Sequence, residues 1–273
     1  MKELSLRENQ LVALDILKVV ARVCEQEGFK YYLAYGTLIG AVRHNGFIPW
    51  DDDIDIWMPR QDYMRMLKYF ENHKEELKPL AVYNQFTCVK YPYMITRISD
   101  ERYWLDVVNE EDYGIGTFID IYVLDGFGID YDNAVKTAFT AKKNASYLFQ
   151  ATRQRFQMGL TKGLKRKILK FPVYCYAKLM GKKYFIDKLQ RLSEKNSYET
   201  SKYIGCISWC VNLEREIMDK EWFSEGIKQK FEDEEFYIPT FFDKILTQIY
   251  GDYMQLPPEQ DRIPHHLYKT FKK

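Results

Sequence analysis

Nowhere in this chain of 273 residues is there an apolar run approaching the ~20 residues that a membrane-spanning helix needs. Met1 to Gln10 is polar and charged, without the apolar stretch behind a basic start that marks a secretory leader. The five cysteines are odd in number and show no disulfide-like spacing. Together these absences lead us to expect a cytoplasmic protein in a reducing compartment. Cys206 and Cys210 lie four apart with no further Cys or His nearby, so buried free thiols are expected there rather than zinc ligands. Charge of one sign is missing too: 40 Lys and Arg stand against 39 Asp and Glu, a formal net charge of +1. No global field draws in nucleic acid, and none is expected as a partner.

What the chain does have is enough apolar surface for a sizeable core, 46% of its residues, and many aromatics, with 22 Tyr and 17 Phe. Leu11 to Cys24 is apolar at helical spacing and Gly28 supplies a stop. Tyr31 to Tyr35 reads as a strand, with Gly36 permitting a tight turn and Thr37 capping a helix to about Arg43. Asp53 to Met58 forms the next strand, and Pro59 opens a helix to about Glu76. Val82 to Val89, Tyr93 to Ser99 and Thr117 to Leu124 read as strands, the last ended by Asp125-Gly126. Asn133 to Gln157, Lys165 to Met180 and Lys183 to Asn196 read as helices, with Pro172 bounding or kinking the middle one. A small mixed sheet with early helices, then a mostly helical second half, is an α+β plan. No repeat or low-complexity linker divides it, so the boundary near residue 130 is soft.

Four carboxylates crowd the segment Trp50-Asp51-Asp52-Asp53-Ile54-Asp55-Ile56. Like charges so close repel, and burying them is costly without a cation. Alternate residues of a strand share a face, so Asp53 and Asp55 project together and Asp51 can join them. A divalent ion, Mg²⁺ or Mn²⁺, is the simplest compensation. A calcium loop would need Gly at its sixth position and Glu at its twelfth, where this chain has Ile56 and Asp62. A solvated acidic turn does not suit the flanking Trp50, Ile54, Ile56 and Trp57. Sixteen residues before Asp53 stands Thr37, and the backbone N–H groups of the helix that follows Gly36 suit a phosphate. Phosphoryl transfer also needs positive side chains against the donor, for which Arg43, His44 and Arg97 are candidates.

Gly-Thr, a short helix and an Asp-apolar-Asp-apolar strand resemble the nucleotidyltransferase superfamily. The fuller string from Gly36 to Arg60, GTLIGAVRHNGFIPWDDDIDIWMPR, is similar to the LicD family. Phe118-Ile119-Asp120-Ile121-Tyr122-Val123-Leu124-Asp125 and Tyr250-Gly251-Asp252-Tyr253-Met254-Gln255-Leu256-Pro257-Pro258 support the likeness in the same order. The resemblance implies a nucleotidyltransferase-like catalytic core over residues 1–130. A helical part, 131–273, would pack on it and complete the substrate site. It implies a phosphocholine transferase that uses CDP-choline and decorates a bacterial surface glycan, such as a teichoic acid, lipopolysaccharide or capsule precursor. It also implies kinship with fukutin-type ribitol-phosphate transferases, so the reaction class is better defined than the donor. On this reading Asp53 and Asp55 hold metal, Asp120 completes the metal site or acts as base, and Gly36-Thr37 seats the phosphates. Asp51 lies at the substrate. Asp252 orients a substrate or binds an Arg structurally.

Choline is a quaternary ammonium that aromatic faces bind, and Trp50, Trp57, Trp104, Tyr122 and Trp209 are candidate walls. Residues 153–195 are rich in Lys and Arg with interleaved aromatics, densest at Lys162, Lys165, Arg166, Lys167 and Lys170. A basic amphipathic helix of this kind suits an anionic membrane and a lipid-linked glycan acceptor, which would place the protein at the inner face of the membrane. A solvated face is the plain alternative. Two further functional classes are a metal-dependent glycosyltransferase with an Asp-x-Asp motif and a non-catalytic glycan- or choline-binding protein. The Gly-Thr turn before the acidic strand argues against the first, and the set of three carboxylates against the second.

Overall fold

The structure, a computed structural model, describes residues 2–156, 164–210, 212–264 and 268–273, with the side chains of 164–169 outside that description. After a two-residue strand β1 (Lys2–Glu3), helix α1 (Leu6–Glu27) opens on a capping box. The Glu8 N–H donates to Ser5 Oγ, and the Glu8 carboxylate accepts from the Ser5 N–H. This cap explains why α1 begins ahead of Leu11, where the apolar spacing starts. It ends at Gly28, as expected, with φ +67°.

Next come β2 (Tyr32–Leu33) and the short helix α2 (Tyr35–Ile39), which widens into a π turn over Gly40–His44. Two local expectations fail here. Ala34, not Thr37, occupies the cap position of α2, and Thr37 lies inside the helix. The left-handed backbone belongs to Tyr35, φ +45°, and not to Gly36. The main sheet then takes β3 (Asp55–Pro59), followed by α3 (Arg60–Asn72), β4 (Leu80–Tyr83) and β5 (Thr96–Asp100). After β6 (Tyr103–Asp106) comes the long strand β7 (Phe118–Gly128). The spatial order is β2-β3-β7-β5-β4, with β3 and β7 parallel and the other pairs antiparallel. β7 does not stop at Asp125-Gly126. Its end pairs with β8 (Tyr203–Gly205), and a Cβ on Gly126 would lie 2.4 Å from Ser201 Oγ, so the glycine serves close packing rather than a turn.

Two long helices follow, α4 (Tyr131–Thr152) and α5 (Leu164–Ser193). Pro172 lies within α5, but the non-helical break falls at Gly181, φ +74°. Beyond them come β8, β9 (Met218–Asp219), the hairpin β10 (Gly226–Phe231) with β11 (Glu234–Pro239), α6 (Phe242–Tyr250) and β12 (Lys269–Lys272). β12 sits between β1 and β6 in a separate three-stranded sheet. The fold is α+β. Its main core joins α1, α3, α6, the central sheet and the β10–β11 hairpin, including Leu17, Ile56, Trp57, Ile121 and Phe231. A second core fills the space between α4 and α5 around Ala138, Phe185 and Leu189, and reaches Phe127 at the end of β7.

Candidate active site

Strand register builds the centre of the site. Asp55 opens β3 level with Asp120 on the parallel strand β7, and Asp120 is level with Arg97 on the antiparallel β5. Three ionisable residues therefore lie side by side across the sheet, all buried. Arg97 Nε donates to Asp120 Oδ1 at 2.8 Å, and its guanidinium stands over the Phe118 ring, 3.9 Å from the centroid. Arg97 also donates to the Tyr113 hydroxyl at 3.3 Å. Asp120 and Arg97 thus form a buried ion pair beside Asp55, which turns Arg97 to Asp120 and not to the cavity.

The loop before β3 adds further acids. Asp51, Asp52 and Asp53 each present a carboxylate oxygen within 4.8 Å of the others. Asp55 Oδ1 is buried and has no hydrogen-bond partner. Burial first, then the charges of Asp53, Asp120 and Asp51, push the Asp55 carboxyl well above the usual carboxylate range. A buried oxygen left unsatisfied among like charges is a chemical fit for a hard divalent cation, whose ligands are oxygens. The residues able to hold one are Asp51, Asp52, Asp53 and Asp55, with Asp120 adjacent. Asp52 did not stand out in the sequence, because period-two reasoning puts it on the wrong face of a strand. The strand starts only at Asp55, and the loop before it is free of that alternation.

α2 shapes the other wall. The Thr37 hydroxyl accepts from the Asp55 backbone N–H at 2.8 Å, so Thr37 fixes the start of β3. Gly36 faces Asp51, and a Cβ there would lie 2.7 Å from Asp51 Oδ2. Tyr35 carries its unusual φ of +45° between Trp57 and Tyr122, with ring centroids 4.8 and 4.9 Å away. Such backbone costs ~1–3 kcal/mol and persists where packing over-determines it.

Part of this set lines a cavity of 810 Å³. Gly36, Arg43, Asp51, Asp53, Asp55 and Asp252 are on its wall, while Thr37, His44, Arg97 and Asp120 are not. Arg43 donates from Nε to His44 Nε2 at 2.9 Å and from Nη1 to the Tyr253 carbonyl, which ties the π turn to the C-terminal loop. Burial and the neighbouring Arg43 push the His44 imidazole down. Of the proposed aromatic walls, Trp50, Tyr122 and Trp209 line the cavity. Trp57 is fully buried in the core, and Trp104 packs on Phe271 across β6 and β12. The fold brings in Tyr35, Tyr250, Tyr253 and the buried Glu216, whose Oε1 accepts from the Asn212 N–H at 2.9 Å. Among the described lining residues the acids number six and Arg43 is the one cation. Arg262 stands over Trp50, 5.6 Å from the ring centroid. His265, His266 and the side chains of Lys162, Lys165, Arg166 and Lys167 lie outside the described residues.

The family described as LicD/FKTN/FKRP, nucleotidyltransferase domain, matches residues 28–114, which hold α2, the acidic loop and β3. The lipopolysaccharide cholinephosphotransferase LicD of Haemophilus influenzae is 32% identical over 281 aligned residues, covering 99% of both chains. The chain belongs to the LicD family. It is an enzyme of the transferase class, on a nucleotidyltransferase-like fold. Ribitol 5-phosphate transferase FKRP of Mus musculus is 42% identical over 48 residues, 18% of this chain and 10% of that protein. An uncharacterized Rickettsia typhi protein, RT0683, is 31% identical over 86 residues, 30% of this chain and 28% of its own. Among the described residues no helix is long and apolar enough to cross a membrane.

Proposed function

We propose that this LicD-family enzyme moves phosphocholine from CDP-choline to a sugar hydroxyl of a bacterial cell-surface glycan, a lipopolysaccharide precursor by analogy with the Haemophilus relative, and releases CMP. The observation that carries the reading is the cavity itself. A carboxylate cluster suited to a divalent ion shares 810 Å³ with Trp50, Tyr122, Trp209, Tyr250 and the buried Glu216. An aromatic, acid-rich wall favours a permanent cation, through the ring faces and the carboxylates.

Mg²⁺ or Mn²⁺, when bound, would neutralise the phosphate and stabilise the charge developing on the leaving CMP. Asp53 and Asp55, with Asp51 and Asp52 beside them, would hold that ion. The acceptor hydroxyl oxygen attacks the phosphorus that bears choline, and the bond from that phosphorus to the CMP oxygen breaks. The hydroxyl proton passes to a carboxylate. Asp120, level with Asp55 and held by Arg97, completes the site or takes that proton. Thr37 positions the Asp55 backbone, and Gly36 leaves room for the Asp51 carboxylate.

The FKRP matches support a second reading, in which the donor is another CDP-activated alcohol phosphate such as CDP-ribitol or CDP-glycerol. A donor screen that follows CMP release, with mass spectrometry of a lipid-linked aminosugar acceptor, separates the two. A gain of phosphocholine supports the first. A gain from CDP-ribitol or CDP-glycerol alone keeps the mechanism and replaces the donor. A gain of a whole nucleotide, or of a sugar, rejects both.

A further inference from the structure

Between residues 131 and 193 the sequence carries fifteen Lys and Arg and only two acids, Asp132 and Asp187. The stretch therefore has a formal charge of +13 and the rest of the chain −12, hidden inside a total of +1. It folds as the packed pair α4 and α5. A helix on a protein surface normally turns its apolar side inward and its polar side to water. α5 also turns an apolar stripe outward. Phe171, Cys175 and Leu179 recur every four residues, with Pro172 and Tyr176 beside them, and all five are exposed. Leu179 is 85% exposed, while Ala177 on the opposite side is buried.

α4 continues this surface. Its Phe139 is 58% exposed, and Phe139 and Tyr176 share a cleft of 310 Å³ with Lys143 and Lys188. Lys136, Lys142, Lys178 and Lys183 are exposed on the same two helices. Apolar side chains standing among lysines need a partner with negative charge and an apolar interior. A second copy of the chain fits poorly, because a symmetric contact would set one basic hairpin against another. Nucleic acid would use the lysines and leave the stripe in water.

We propose that the α4–α5 hairpin docks on an anionic phospholipid bilayer, with Phe139, Phe171 and Leu179 entering the headgroup boundary and the lysines facing lipid phosphates. None of these residues lines the cavity with the acidic cluster, so the proposal stands whichever donor the enzyme uses.

The test is sedimentation of the full-length protein with two kinds of vesicle. One is phosphatidylcholine alone, the other phosphatidylcholine mixed equally with phosphatidylglycerol. Binding is expected only to the anionic vesicles at low salt, and should weaken as salt screens it. Leu179→Glu, at a site too exposed to affect folding, should lower partitioning about tenfold, and the combined Lys142→Gln, Lys143→Gln and Lys183→Gln roughly a hundredfold. A polarity-sensitive fluorophore on Cys175 should shift to the blue on vesicle addition. Failure of the wild type to bind at low salt overturns the proposal, as does equal binding to neutral vesicles or undiminished binding by Leu179→Glu. Tighter binding to duplex DNA than to vesicles, or a dimer that Leu179→Glu dissolves without any vesicle binding, overturns it as well.

Discussion

The hydroxyl of Thr37 accepts a hydrogen bond from the backbone N–H of Asp55 at 2.8 Å. One residue of α2 thereby sets the height at which β3 begins, and with it the level of Asp55 against Asp120. Thr37→Val keeps the shape and removes the acceptor, leaving a buried N–H unsatisfied at a cost of ~1–3 kcal/mol. We expect a lower unfolding midpoint in urea and a loss of turnover, with Thr37→Ser restoring both. A Val variant as stable and active as the wild type would show that Asp55 needs no such anchor.

The acidic cluster yields a prediction with opposite signs for stability and activity. Asp55→Asn removes a charge that burial and Asp53, Asp120 and Asp51 all disfavour. In a chelator it should melt at or above the wild-type temperature. Added Mg²⁺ should raise the wild-type melting temperature and leave the variant unmoved. Turnover should vanish in Asp55→Asn and in Asp53→Asn, a loss of several kcal/mol of transition-state stabilisation. Near-normal activity in either variant with unchanged metal dependence would refute the assignment.

Gly36→Ala tests the wall facing the cluster. Its Cβ would come to 2.7 Å from Asp51 Oδ2, so the carboxylate must move or the helix must shift. Metal titration should show weaker binding, while the far-ultraviolet circular dichroism stays that of the wild type. Unchanged metal affinity would mean that Asp51 is not a ligand.

How far the site could be read ahead of the fold depends on separation along the chain. Gly36, Thr37, Asp53 and Asp55 lie close in sequence, and the crowding of carboxylates at 51–55 marks the site even though Asp53 falls in the loop ahead of β3. Trp209 and Tyr250 stand out as aromatics, but Glu216 reaches the same cavity on a short 3₁₀ turn, Leu213–Glu216, for which no periodicity exists. The β10–β11 hairpin was equally silent. Its turn places Glu232 at φ +60°, where Asn or Gly would be the usual signal. Tertiary contacts hold Glu232 there: its N–H donates to the Asn45 carbonyl, and its carboxylate accepts from Arg7 and the Phe47 N–H. Asp125 was expected in a turn because Asp-Gly commonly makes one. Instead it is buried within β7 and paired with Arg60 at 2.6 Å.

That burial has a pH consequence. Asp125 is pushed from 3.8 up to about 6 by burial, with Arg60 working in the opposite direction. Because the folded value lies above the unfolded one, the folded state holds the proton longer. Its stabilising contribution is complete below about pH 4 and is lost as pH rises through 6. The difference in unfolding free energy between wild type and Asp125→Asn should therefore change between pH 4 and pH 7, on the order of 3 kcal/mol. The wild type should be the one that loses ground at the higher pH. A difference that is flat with pH would mean that Arg60 holds Asp125 ionised throughout.

Choline selectivity is where Glu216 can be separated from the rest of the cavity. It is buried on the wall with Trp209 and Tyr250, and Gln in its place would keep an oxygen for the Asn212 N–H. Glu216→Gln thus keeps that bond and removes the negative charge facing a bound cation. For CDP-choline we expect kcat/KM to fall roughly tenfold, equivalent to ~1.4 kcal/mol. Any slow reaction with the uncharged CDP-glycerol should be unaffected or improved. Tyr250→Leu should add to the loss for choline, since an aromatic face contributes ~0.5–2 kcal/mol to binding a quaternary ammonium. Steady-state kinetics with the two donors, followed by CMP release, checks both variants. An equal fall for both donors would show that Glu216 acts on the phosphate site or on the fold, and the aromatic wall would then have no claim on choline.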